Sequence, residues 1–323
     1  MKALITGLNG FVGSHLAEYL LAHTDWRVAG TVYGPTRSID PLREQLELYP
    51  GELSRLDAVE TLLEQARPDV IFHLAAMAVA GQSWRDPAGT ITLNITMQTH
   101  ILQAVVNLGL RCRVLCVCSS EEYGAVSPGD LPIDEDTPFR PNNPYAVSKV
   151  AQDMLGLQYH LSHGVDAVRV RPFNHIGPRQ SQGFVVPDFA SQIARIEIGA
   201  QAPLLRVGNL EARRDFTDVR DVVRAYYLLA ERGQSGEAYN VGSGRARAIQ
   251  EVLDYLVAHS SVAIQVEPDS ERMRPSDTPL VVCDYGKLNA CTGWMPTILF
   301  EQSLSDVLDY WRAEVKNTPR SKS

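Results

Sequence analysis

Tyr145 and Lys149 stand four residues apart in PYAVSKVAQDML. On a helix that spacing puts both side chains on one face. An ammonium beside a phenol favours the phenolate and lowers a pKa that is otherwise about 10. A tyrosine tuned in this way exchanges a proton with a carbinol oxygen at neutral pH. Upstream, Ser119-Ser120-Glu121-Glu122-Tyr123-Gly124 follows the strand-like run RVLCVCS. Open α/β sheets place their ligands at strand C-termini. Ser119 or Ser120 there can hydrogen-bond a carbonyl and polarise it together with Tyr145. Glu121 has three readings: an acid or base, an acceptor for a sugar hydroxyl, or a surface charge.

The N-terminus reads LITGLNGFVG. Gly7, Gly10 and Gly13 give GxxGxxG directly after a strand and at the start of a helix. Glycines there let the backbone turn tightly and approach a pyrophosphate at a helix N-terminus. With Asn9, Phe11 and Val12 between them, they form the expected dinucleotide cradle. Leu74-Ala75-Ala76 ends a later strand with small residues beside which a cofactor could lie, although helix packing explains the alanines equally well. An NAD site often carries an acid after strand two. Here the stretch is Val32-Tyr33-Gly34-Pro35-Thr36-Arg37, without an acid. Arg37 could meet a 2′-phosphate, so NADP is favoured and NAD remains possible. A dinucleotide site joined to a Tyr–Lys pair points to hydride transfer between a nicotinamide and an alcohol or ketone.

These residues need an α/β scaffold to bring them together. The first half alternates strand and helix signals, which implies a parallel sheet covered by helices. Strands are predicted at Lys2–Thr6, Arg27–Tyr33, Val70–Leu74, Arg113–Ser119 and Asp166–Arg171. Helices are predicted at Phe11–Ala22, Asp57–Ala66, Thr90–Leu108 and Asn143–His163. Residues 173–183 read as a loop rich in Gly, Pro, Asn and Gln, followed by a helix over Phe184–Gly199. Ala238–Val241 and Ile249–His259 read as a return to the sheet. The expected fold is a Rossmann-type doubly wound parallel sheet with a smaller C-terminal substrate-binding lobe. Residues 1–173 and 218–264 form the dinucleotide domain, and 174–217 with 265–323 form the lobe.

At 323 residues the chain can bury a large core. Its net charge of −8 argues against a general nucleic-acid binder. No run approaches the roughly 18 apolar residues of a membrane helix. Met1 and Lys2 lead straight into ALITG, so no targeting segment is expected. The five cysteines are odd in number and lack scaffold spacing. They read as reduced thiols without metal, and the compartment as cytoplasmic. Cys116 and Cys118 alternate within one run and should face the same side.

Gly7–Gly13, His73–Ala76, Ser119–Gly124 and Tyr145–Lys149 together resemble the extended short-chain dehydrogenase/reductase family, in order and across most of the chain. That resemblance implies a nucleotide-sugar enzyme. It makes Tyr145 the acid/base, Lys149 its partner and a contact of the nicotinamide ribose, and Ser119 the residue that binds the reacting oxygen. Asn94 matches a position that supports a proton-relay water. Pro172-Phe173-Asn174 matches the loop behind the nicotinamide, with Asn174 on the substrate and Val185 beside it. GNLEARRDFTDVRD resembles the GDP-mannose 4,6-dehydratase branch, and Arg272-Met273-Arg274-Pro275 its segment over the diphosphate. Arg214 and Arg274 are therefore implied as phosphate ligands. Within the branch, FNHIGPRQS is most similar to a 4-ketoreductase that makes GDP-D-rhamnose from GDP-4-keto-6-deoxy-D-mannose. GTVYGPTRS also differs from the Arg- and Ser-rich loop of the dehydratases. Glu121 occupies the position of the dehydratase base, so GDP-mannose 4,6-dehydration is the alternative, with another epimerase or reductase behind it. A non-catalytic sensor would be expected to lose Tyr145 or Lys149. The family pairs the helices corresponding to Thr90–Leu108 and Asn143–His163 in a four-helix bundle, which implies a homodimer.

Overall fold

The computed structural model describes residues 1–78, 80–269 and 278–317. In chain order its strands are β1 (Lys2–Thr6), β2 (Arg27–Val32), β3 (Leu46–Pro50), β4 (Val70–His73), β5 (Arg113–Val117), β6 (Asp166–Pro172), β7 (Asn174–Ile176), β8 (Leu204–Val207), β9 (Arg213–Asp218), β10 (Ala238–Val241), β11 (Ala246–Ala248) and β12 (Gln265–Pro268). Its helices are α1 (Phe11–His23), α2 (Leu56–Ala66), α3 (Ala80–Ser83), α4 (Pro87–Asn107), α5 (Pro144–His163), α6 (Val185–Glu197), α7 (Val219–Arg232), α8 (Ile249–Ala258), α9 (Gly286–Thr292) and α10 (Phe300–Asn317).

Seven strands form one parallel sheet in the order β3-β2-β1-β4-β5-β6-β10. The order reverses between β1 and β4. Crossovers on either side of that point leave by opposite faces, so a crevice opens at the strand C-termini. Side chains alternate between two cores, as a strand period of two requires. Ala3, Ile5 and Leu115 face the core shared with α1 and α7. Leu4, Val114, Cys116 and Cys118 face the core shared with α2, α4 and α5. Both cysteines are thus on one side, and all five cysteines are free thiols.

The lobe has its own core. Val186, Phe189, Ala190, Ile193 and Ala194 recur with helical spacing on the buried face of α6. Most of them pack with Leu205, Val207, Leu253, Leu256, Leu304 and Val307. Two segments cross the boundaries expected from sequence. α8 packs into the lobe core, whereas Leu288 and Trp294 pack into the core beside α7. The Trp294 indole N–H donates to the Asp221 carbonyl at 2.9 Å, which fixes that return.

Two local expectations need correction. The segment 173–183 is not wholly loop: β7 pairs with Phe216–Asp218 of β9. Three residues carry no legible period, and the pairing partner lies about forty positions away, so this strand exists only through a long-range contact. β3, absent from the sequence reading, adds to the edge of the sheet beside β2 for the same reason.

Candidate active site

The N-terminal cradle is set by steric limits. Gly7 has φ +70°, a conformation that costs a side chain-bearing residue energy, and a Cβ there would lie 3.3 Å from Cα of Ala75. A Cβ on Gly13 would lie 2.4 Å from the Gly7 carbonyl oxygen. Gly10 caps α1 without a side-chain acceptor, so no side chain competes for the first-turn amides of Phe11, Val12 and Gly13. That geometry fits a dinucleotide pyrophosphate.

Two residues missed by sequence reasoning, Thr6 and Thr31, brace the cradle together with Asn9 and His73. Thr6 Oγ1 accepts the amides of Leu74 and Ala75 at 3.1 Å each. This ties the β4 exit to the glycine loop. Thr31 Oγ1 accepts the Gly7 amide at 3.1 Å. Asn9 donates through Nδ2 to the carbonyls of Tyr33 and Pro35, at 2.8 and 2.7 Å. His73 is buried; its Nδ1 is 3.0 Å from Thr6 Oγ1, and burial beside Lys149 pushes its pKa down to about 3. A threonine at the end of a strand just before a glycine loop is the signal that could have found Thr6. Arg37, largely exposed, donates to Glu314 Oε2 at 3.1 Å.

The catalytic candidates converge at the C-termini of β4 and β5. Ser119 starts a single 3₁₀ turn over Ser120–Tyr123. Tyr145 and Lys149 rise from the first turns of α5, whose N-cap is Asn143 followed by Pro144. Asn143 Oδ1 accepts the Ala146 amide at 2.8 Å, and its Nδ2 donates to Glu121 Oε2 at 2.9 Å. One missed residue therefore connects the Glu121 carboxylate to the start of the catalytic helix. The Asn-Pro start signal marks it in the sequence. Ser120 is half-buried on the turn, one position beyond the hydroxyl that meets Tyr145.

The expected pKa shift of Tyr145 runs the other way. Burial raises the phenol above its usual value, a hydrogen bond with Ser119 opposes the rise, and the charge of Glu121 adds to it. Lys149 does not reverse this. Its Nζ lies 5.8 Å from the centre of the Tyr145 ring and donates to the Val117 carbonyl at 2.8 Å. Burial lowers the pKa of Lys149 itself. Spacing alone showed the shared face but not the dehydration of both groups. A phenol that stays protonated suits proton donation to a strongly basic alkoxide.

Asn94 lies buried in α4. Its Oδ1 accepts the Met77 amide at 2.8 Å and its Nδ2 donates to Ser148 Oγ at 3.0 Å. It thus holds α4, α5 and the β4 exit together. Behind the site Arg171 pairs with Asp153, Nε to Oδ2 at 2.8 Å, and Arg169 pairs with Asp153 at 2.6 Å. Breaking such a buried pair costs about 3–5 kcal/mol, because it leaves a charge uncompensated.

Pro172 ends β6 and Asn174 opens β7, so both lie where the sheet gives way to the lobe. Val185 begins α6 and is half-buried. Arg214 on β9 donates through Nη1 to the Thr278 carbonyl at 2.6 Å. Arg274, with its neighbours Arg272, Met273 and Pro275, lies outside the described residues.

Residues 4–307 match the family model of GDP-mannose 4,6 dehydratase. The chain belongs to that family. Among its relatives, GDP-6-deoxy-D-mannose reductase of Pseudomonas aeruginosa is 38% identical over 316 residues, covering 98% of each chain. GDP-mannose 4,6 dehydratase 1 of Arabidopsis thaliana is 28% identical, covering 95% of this chain and 88% of its own. A solved structure, RMD from Pseudomonas aeruginosa complexed with NADPH, aligns with a TM-score of 0.85 at 36% identity. The alignment covers 97% of this chain and 99% of that one. The Rossmann-type sheet and the glycine cradle described above are thus those of a member of the GDP-mannose 4,6 dehydratase family.

Proposed function

We propose that this protein is an NAD(P)H-dependent 4-ketoreductase that converts GDP-4-keto-6-deoxy-D-mannose to GDP-D-rhamnose. The observation that carries the reading is the near full-length likeness to a GDP-6-deoxy-D-mannose reductase, on a chain that keeps Ser119, Tyr145 and Lys149 in one buried site. A bound nicotinamide supplies the hydride. Gly7, Asn9, Gly10, Phe11, Val12 and Gly13 hold the dinucleotide, with Leu74, Ala75, Ala76 and Pro172 along its path. Arg37 gives the site its preference for NADP(H) over NAD(H).

The chain's own residues manage the oxygen. Ser119 donates a hydrogen bond to the ketone and draws charge toward it. Tyr145 passes its phenolic proton to the developing alkoxide. The phenolate left behind is stabilised by the Lys149 ammonium and recovers its proton before the next turnover. Asn174, Val185, Arg214 and Arg274 receive the sugar nucleotide, the arginines through its diphosphate.

The 4,6-dehydratase is the second reading, favoured by Glu121 in the position of the dehydratase base and held by Asn143. One assay separates them. With NADPH the protein consumes the 4-keto-6-deoxy sugar nucleotide and forms GDP-D-rhamnose. Rapid conversion of GDP-mannose with oxidised cofactor would make it a dehydratase. GDP displaces the substrate, whereas UDP and dTDP do so poorly; equal displacement by all three would remove the guanine assignment.

We also read the protein as a cytoplasmic homodimer. No helix among the described residues is long and apolar enough to cross a membrane. Val147, Met154 and Leu161 are exposed at seven-residue intervals along α5, which packs against α4. Such a stripe suits a helix pair facing its copy across a two-fold axis. Light scattering that finds a monomer at micromolar concentration would refute the dimer.

A further inference from the structure

Glu122 is fully buried, and the reaction just described does not use it. Its Oε1 accepts the Ser119 amide at 2.9 Å, while Ser119 Oγ accepts the Glu121 amide at 3.2 Å. These bonds form a reciprocal cap on the 3₁₀ turn, and Ser119 is among the groups that act on the Tyr145 phenol. Glu122 Oε2 makes no hydrogen bond and lies 3.7 Å from Arg171 Nε. The charged and titratable groups that face the carboxyl are Asp153, Lys149 and Tyr145 from α5, Arg171 from β6, Cys118 from the end of β5 and Tyr123 on its own turn. An apolar side chain could fill this volume without the cost of desolvating a carboxyl.

We propose that Glu122 is a positioning residue for the reduction: its carboxyl holds the Ser119 amide and so fixes the turn that carries the Ser119 hydroxyl into the site. The inference rests on the reductase reading. Burial pushes the Glu122 carboxyl up to about 8, Asp153 adds to the rise and Arg171 opposes it. The Glu122 charge is in turn one of those that raise Tyr145.

Two variants test that link. Glu122→Gln keeps an acceptor for the Ser119 amide and removes the charge. It should retain most of the turnover at pH 7. Glu122→Met keeps the volume and removes the acceptor. It should lose about tenfold or more in kcat with little change in KM, and cost nothing further when combined with Ser119→Ala. Without substrate, hydrogen exchange at the Ser119 amide should quicken in Glu122→Met and stay slow in Glu122→Gln. Near-native kcat in Glu122→Met, multiplicative losses in the double variant or fast exchange of the Ser119 amide in Glu122→Gln would each overturn the proposal. If Glu122→Met does not fold, the turnover and amide exchange of Glu122→Gln decide. Absence of turnover by the wild type would sink the reductase reading alone, because amide exchange still reports on the Glu122–Ser119 link.

Discussion

The two sides of the cleft are built by different means. The cradle side consists of backbone held by short polar side chains: Gly7 and Gly13 fit where a Cβ would not, and Thr6, Thr31 and Asn9 fasten the loops around them. The lobe side carries long side chains such as Arg214, which bonds to the Thr278 carbonyl, on a three-stranded sheet of β7, β9 and β11. Between them stands a dehydrated catalytic group anchored to both β5 and α5. The backbone side leaves no room for added atoms at Gly13, whereas the lobe side is made of side chains whose single contacts can be removed one at a time.

The largest effect should come from the group between the two sides. Tyr145→Phe removes the proton donor and should lower kcat by about 10²–10⁴-fold while NADPH still binds. Near-native turnover would end the assignment.

A cradle residue should come next. Gly13→Ala forces a methyl against the Gly7 carbonyl oxygen, 2.4 Å away. It should destabilise the protein by about 1–3 kcal/mol and weaken dinucleotide binding, read by a urea melt and a fluorescence titration. A silent substitution would break the contrast between the two sides.

Acid tests the cradle in another way. His73 titrates at about 3 in the fold against 6.5 when unfolded. Between those values the unfolded chain binds the extra proton, so stability falls as pH drops below 6.5, with no further loss below about 3. The part due to His73 is about 2 kcal/mol between pH 7 and pH 5. Burial drives His15 in the same direction, with Arg179 adding to the shift. Denaturant midpoints that are flat across this range would contradict the burial of the two rings.

Smaller effects belong to the long side chains. Arg214→Ala should raise KM for the GDP-sugar by about tenfold, a loss of a charge-assisted bond, with little change in KM for the cofactor. Arg37 is exposed and already paired with Glu314. Arg37→Ala should shift the NADPH-to-NADH preference by only about threefold to fivefold. A larger shift would mean that the loop after β2 contributes as rigidly as the cradle.

Much of this was legible in the residues. The glycine spacing, the alternation of strands and helices, and the Tyr145–Lys149 interval depend on local geometry, and β1 and β10 fall where the periodicity placed them. Ser119 was legible because it follows an apolar strand. Contacts without local period were not: among the described residues β7 pairs with β9 alone, and Asn143 bonds to Glu121, 22 positions earlier. Glu122 stood in the same motif, yet nothing in sequence distinguishes a carboxylate turned inward from one in solvent.

The sequence by itself determined which residues could do the chemistry and that a parallel sheet would carry them, since φ preferences and side-chain periodicity are properties of neighbouring residues. Only the tertiary structure decided their protonation. Tyr145 is raised rather than lowered because desolvation within the folded interior outweighs an ammonium whose Nζ is bonded to the Val117 carbonyl. Solvent exclusion is produced by the whole packed chain and has no counterpart in residue spacing.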